Sequence, residues 1–233
     1  MLWVDKHRPK QLQDLSYHGN ITARLQSLAA HPAAMPHLLV FGPSGAGKKT
    51  RITALLQALY GNSAEKLKLD KRVFTTPTKK TIEINMVCSN YHIELSPGDA
   101  GLNDRFVVQD VIKEMASNRN IAAAATSGGS IDKKSAAPEF KTVVLFEVDR
   151  LSRQAQAALR RTMEKYASTC RLILCCNSPS KVIEPVRSRC LGIRVAAPTE
   201  DEVSLHESVR DFFLRSTMLE CALSVSVFSH PCN

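Results

Sequence analysis

Nine residues, Gly42-Pro43-Ser44-Gly45-Ala46-Gly47-Lys48-Lys49-Thr50, stand between the apolar run Leu38-Leu39-Val40-Phe41 and a stretch of helical periodicity that begins near Lys48. Strand, glycine-rich turn and helix in that order form a phosphate site. The glycines let successive backbone N–H groups turn inward around phosphate oxygens, the helix N-terminus adds partial positive charge, and Lys48 reaches the outer phosphates. One position departs from the pattern. The residue after Lys48, whose hydroxyl holds magnesium in a P-loop, is Lys49. A glycine-rich turn without chemistry is the competing reading, and the flanking strand and helix argue against it.

At 233 residues, 44% hydrophobic and 23% charged, the chain has enough apolar material for a packed core and one or two domains, and it is not a disordered composition. The net charge of +9 points to a polyanionic partner, because clustered Lys and Arg displace counterions from phosphates. The opening Met1-Leu2-Trp3-Val4-Asp5-Lys6-His7-Arg8-Pro9 is too charged for a signal peptide, and no apolar run approaches the ~20 residues of a membrane span. The expectation is a soluble intracellular protein with no membrane partner. Seven scattered cysteines lack metal-ligand spacing and a disulfide framework, so buried thiols are expected and no metal site.

Along the chain, residues 1–20 read as an extended opening segment, and Ile21 to Ala30 as a short helix ended by Pro32. Ile52, Leu55, Leu56 and Leu59 form the apolar face of the helix after the phosphate loop, with Gly61 as its C-terminal cap. Lys66 to Lys80 reads as a basic, solvated loop rather than a nucleic-acid patch. Thr81–Ile84 and Tyr91–Leu95 alternate as strands. Asn103 or Asp104 caps a helix whose core face is Val108, Val111, Ile112 and Met115. Residues 118–139 offer no packed face and read as a flexible insertion. Thr142–Phe146 and Leu172–Cys176 are buried strands, Ser152 caps a helix to about Tyr166, and Leu191, Ile193 and Val195 alternate as a last strand. The alternation implies a parallel α/β core over about 35–198.

In a P-loop hydrolase, a hydroxyl after the lysine and an Asp at the end of the second buried strand hold Mg²⁺, and an acidic neighbour polarises water. Here these positions carry Lys49, Phe146 and Glu147. Both protein contacts to the ion are missing together, which points to a site that binds nucleotide but hydrolyses it weakly. A shifted register, with Asp149 or Glu147 serving the metal, is the alternative.

Four separated stretches carry a resemblance: Trp3–Pro9, Gly42–Arg51, Ala158-Leu159-Arg160-Arg161-Thr162-Met163-Glu164-Lys165-Tyr166, and Pro185-Val186-Arg187-Ser188-Arg189-Cys190. Together they resemble the small subunits of replication factor C, the eukaryotic AAA+ clamp loader, most of all its subunit 3 type. The resemblance implies an AAA+ P-loop domain over 1–198, its parallel sheet flanked by helices. It implies that Val4, Arg8 and Pro9 lie against the adenine of ATP or ADP, that Gly42 to Thr50 hold the phosphates, and that Asn177 senses the γ-phosphate. Arg189 in Ser188-Arg189-Cys190 would act in trans on a neighbour's nucleotide, Glu147 would be the catalytic acidic residue, and Arg105 with Lys113 would track DNA. The implied partners are the other subunits of a heteropentamer, the sliding clamp PCNA and primer-template DNA, in replication and repair in the nucleus. Residues 199–233 match poorly: Glu200-Asp201-Glu202-Val203 starts a lid, but no sensor arginine or collar follows, which reads as a truncated or divergent end. Two other functions stay open on the residues alone, a free-standing P-loop NTPase or phosphotransferase with Lys48 catalytic, and a truncated product that does not assemble.

Overall fold

The apolar strands Lys141–Leu145 and Cys170–Cys176 have almost no polar face, and a strand of that composition is stable only where both faces are covered. They sit at the middle of a seven-stranded sheet. The structure is a computed structural model that describes residues 8–75, 81–117, 138, 140–199 and 202. In chain order the elements are α1 (Gly19–Ala30), β1 (His37–Phe41), α2 (Lys48–Tyr60), β2 (Lys68–Thr75), β3 (Thr81–Cys88), β4 (His92–Leu95), α3 (Asp104–Ser117), β5 (Lys141–Leu145), α4 (Arg153–Lys165), β6 (Cys170–Cys176), α5 (Glu184–Arg187) and β7 (Cys190–Arg194). The sheet order is β2-β3-β4-β5-β6-β1-β7.

The five strands from β4 to β7 pair in parallel, as the alternation of strands and helices requires. Side chains of β1 alternate between the two layers. Leu39 joins Val143, Leu145, Leu172 and Leu174 against α3 and α4, whereas Leu38 and Val40 join Val144 and Ile173 against α2. The helix after the phosphate loop buries Ile52, Leu55, Leu56 and Leu59, and its capping Gly61 takes φ +61° while its N–H donates to the Gln57 carbonyl. Ser152 caps α4 by accepting the Ala155 N–H at 3.1 Å.

The parallel core stands, and two further strands join it antiparallel, β3 pairing with β4 and β2 with β3. The basic run expected as a solvated loop over 66–80 is strand β2 from Lys68 to Thr75, and residues 76–80 lie outside the described residues. Lysines on an edge strand protect it from pairing with another chain, so their density hides the strand from a pattern reading. Arg72 in that strand is held by Asp70 at 2.9 Å and by Glu114 of α3, which takes it out of any phosphate patch. The strand read as Thr81–Ile84 extends to Cys88.

Residues 1–7 of the opening segment lie outside the described residues; the part from Arg8 on includes one 3₁₀ turn, Leu12–Asp14, and buries Leu12 and Leu15. All five cysteines among the described residues are free thiols. Burial pushes the Cys176 and Cys190 thiols up to about 12, so they stay protonated and inert. Among the described residues no group of acidic, His and Cys side chains is set to hold a metal, and no helix is long and apolar enough to cross a membrane.

The expected insertion over 118–139 lies, apart from Pro138, outside the described residues. The chain divides into units 1–197 and 198–233. In the second unit, Thr199 and Glu202 exchange bonds as a capping box, the Thr199 N–H donating to Glu202 Oε2 and the Glu202 N–H to Thr199 Oγ1.

Asp104, read as a possible cap, is a strut. Only 2% exposed, it accepts the Ser152 N–H at 2.6 Å and the Ser152 hydroxyl at 2.9 Å, joining the start of α3 to the start of α4. Asp104→Ala leaves both donors without this acceptor and is expected to cost about 2–4 kcal/mol. Thermal melts of the variant should show a Tm lower by about 5–10 °C, and an unchanged Tm would show that the strut carries no stability.

Candidate nucleotide site

Strand order assembles the site. β6 lies between β1 and β5, so the turns that leave the carboxyl ends of these three strands meet along one edge of the sheet. That edge is where parallel α/β sheets bind ligands. From β1 comes the loop Gly42–Gly47, from β6 comes Asn177, and from β5 come Phe146 and Glu147.

The loop is held open by its glycines. Gly45 and Gly47 take φ of +82° and +76°, a region that a side chain strains. A Cβ on Gly42 would fall 1.8 Å from the Val195 carbonyl oxygen, so β7 can lie against the loop only if that position has no side chain. Pro43, Ser44 and Gly45 are exposed at the rim, Ala46 is buried beneath it, and Thr50 is half-buried on the first turn of α2.

Lys48 is buried, and its ammonium donates to the carbonyls of Gly42 at 2.9 Å and Pro43 at 2.7 Å and to Asn177 Oδ1 at 2.9 Å. These bonds fold the lysine back across its own loop, and they bring together the two residues that sequence reading assigned to the outer phosphates. Lys49 reaches the end of strand β5 instead. Its Nζ lies 5.2 Å from the centroid of the Phe146 ring, an attraction of about 0.5–1 kcal/mol at an exposed site.

At the end of β5 the residue in contact with Lys49 is Phe146. Glu147 takes φ +53° and accepts from Arg150 at 2.7 Å, three residues on in the same turn. Asp149 holds one carboxylate oxygen buried, without a hydrogen-bond partner among the described residues. The magnesium ion implied by the fold does not fit these residues, since neither an ammonium nor a phenyl ring has an oxygen to offer a hard cation.

Three residues near the loop were assigned no role from the sequence. Arg51 is 1% exposed, donates to the Tyr17 carbonyl at 2.7 Å and stacks on the Tyr17 ring at 4.8 Å. The Tyr17 hydroxyl in turn donates to the Ala46 carbonyl at 3.4 Å, and a Cβ on Gly47 would lie 2.3 Å from it. The opening segment is thus tied onto the phosphate loop. Glu94 of β4 is buried, which raises its carboxyl pKa, while the charges of Lys49 and Arg8 pull it back down. Arg8 and Lys49 therefore both lie within electrostatic reach of one carboxylate. Pro9 is half-buried beside Arg8, and Val4 lies outside the described residues.

Other candidates lie elsewhere. Arg189 precedes β7, and Cys190 pairs with His37 at the start of β1. The phosphate loop leaves the far end of that five-residue strand, about 13 Å further along. The Arg189 guanidinium donates to Glu164 Oε1 at 2.7 Å and to the Pro185 carbonyl at 2.7 Å, and this pairing lowers the Glu164 carboxyl pKa. Arg105 and Lys113 are both exposed on α3, eight residues and about 12 Å apart along its axis.

A family model described as DNA polymerase III, delta subunit, matches residues 17–199. The chain belongs to this clamp-loader family. Within it, the chain is 52% identical over 202 residues to Replication factor C subunit 3 of Mus musculus, covering 87% of this chain and 53% of that protein. It is 53% identical over 204 residues to Probable replication factor C subunit 3 of Dictyostelium discoideum, covering 87% and 55%, and 52% identical over 202 residues to Replication factor C subunit 5 of Neurospora crassa, covering 87% and 54%. The resemblance carried by the four motifs is borne out, and the chain spans about half the length of the curated relatives it matches. A solved structure, the Thermotoga maritima RuvB Holliday junction branch migration motor, aligns over 81% of this chain and 48% of that chain, with a TM-score of 0.48 and 16% identity.

Proposed function

We propose that the chain is an ATP-binding, weakly hydrolysing subunit of the replication factor C clamp loader, acting with its sister subunits to load the sliding clamp PCNA onto primer-template DNA in replication and repair. The observation that carries the nucleotide part is the three-way junction of the phosphate loop, Lys48 and Asn177 at the carboxyl edge of the sheet. In this reading ATP or ADP lies with its phosphates in Gly42 to Thr50 and its base toward Val4, Arg8 and Pro9, and Asn177 reports on the γ-phosphate. The Lys49–Phe146 contact supports weak hydrolysis, because it fills both positions that would hold the metal.

Two further roles belong to the same reading. Arg189 serves a neighbour's nucleotide, which its distance from its own loop favours. Arg105 and Lys113 contribute to the basic surface that meets DNA phosphates, consistent with the net charge of +9. The same reading carries a nuclear location, where chromosomal DNA is replicated. Co-expression with the other loader subunits and the clamp tests the assembly directly. The expected result is that the tagged chain retains sister subunits on purification. Purification alone, together with ATP turnover by the isolated chain, would favour a free-standing P-loop phosphotransferase.

A further inference from the structure

The two residues that displace magnesium touch each other, and their contact suggests what replaces the ion. Polyphosphate at a P-loop needs a counter-charge beyond the loop lysine. Here Lys48 is already bonded to two loop carbonyls and Asn177, so its own three donors are occupied. Lys49 is exposed on the first turn of α2, one residue further on, where the hydroxyl that binds the metal would stand. Its ammonium is steered toward β5 by the face of Phe146 at 5.2 Å, and the buried carboxylate of Glu94 draws it from the side of β4. An ammonium in that place repels a divalent cation and attracts phosphate.

The geometry points to Lys49 as a built-in cation that takes the place of magnesium, so that the ligand of this site is the metal-free nucleotide. The inference rests on the nucleotide reading above and adds which form of the ligand is bound and by which residue. Phe146 has a positive part in it. The ring closes the position where a carboxylate would recruit a metal, and its π-face orients the ammonium without placing a further negative charge beside it.

The test is calorimetric titration of ATP into the purified full chain, once in excess EDTA and once in excess Mg²⁺. The wild-type chain should bind in EDTA at least as tightly as in Mg²⁺. Lys49→Thr, at an exposed position where folding is not at stake, should lose about tenfold or more in EDTA, and Mg²⁺ should then strengthen its binding. Lys49→Arg, which keeps the charge, should retain the EDTA affinity. The double variant K49T/F146D, with oxygens at both positions, should depend on Mg²⁺ more steeply than K49T. A wild-type affinity that falls tenfold or more in EDTA would overturn the inference and leave the nucleotide reading standing, as would a Lys49→Thr variant with unchanged EDTA affinity. Absence of binding under both conditions would overturn both.

Discussion

Replacing Arg189 by lysine in an assembled loader should lower ATP turnover at the neighbouring subunit by on the order of 10³-fold or more, while nucleotide binding at this subunit persists. The guanidinium is always charged and presents a planar fork that meets two phosphate oxygens at once, so lysine keeps the charge but not the geometry. Three features of the fold favour action in trans. Arg189 stands at the amino end of β7, whereas its own phosphate loop leaves the carboxyl end of the adjoining β1. Its side chain is 30% exposed, within reach of a partner. It is also held in a defined pose by Glu164 and the Pro185 carbonyl, so little side-chain freedom is lost on docking. DNA-stimulated turnover of the variant complex measures the effect, and an unchanged rate would remove Arg189 from the chemistry.

Turnover by the chain's own site should be lower than that of a P-loop hydrolase with a full metal set by on the order of 10²–10³-fold, the rate equivalent of losing several kcal/mol of charge stabilisation at the transferring phosphoryl group. The loss has two separate sources. Lys49 and Phe146 remove the oxygens that would position the ion, and Glu147, the acidic residue left at the strand end, is paired with Arg150 across its own turn. A single substitution can be offset by a neighbour, but here both metal-holding positions have changed together. On the proposed function, the chain keeps a use without turnover if bound nucleotide stabilises the domain that would present Arg189 to a neighbour.

The parallel core was legible because its signals are local. Continuous apolar runs such as Val143–Leu145 and Leu172–Cys176 mark strands buried on both faces, and Ser152 and Gly61 mark helix ends by their own chemistry. The phosphate loop was legible for the same reason, since its spacing is a backbone requirement. The edge strand β2 was not, because Lys68, Lys71 and Arg72 give it the composition of a loop, while the pairing that makes it a strand comes from β3. Tyr17, Arg51 and Glu94 were silent for a different reason. Each acts through a partner distant in sequence, Arg51 through Tyr17 and Glu94 through the charges of Arg8 and Lys49, and no spacing rule connects them. The Lys49–Phe146 contact was half legible. Both departures from the P-loop pattern stood in the sequence, but only the order β5-β6-β1 puts the two side chains together.

Whether nucleotide is bound but not spent is best measured by following γ-labelled ATP on the purified chain in the presence of Mg²⁺, with Lys48→Ala beside it as the control for binding through the loop. The account predicts that ATP is retained by the wild-type chain, recovered intact after prolonged incubation, and not retained by Lys48→Ala. Magnesium-dependent release of phosphate at the rate of an ordinary ATPase, abolished in Lys48→Ala, would contradict it.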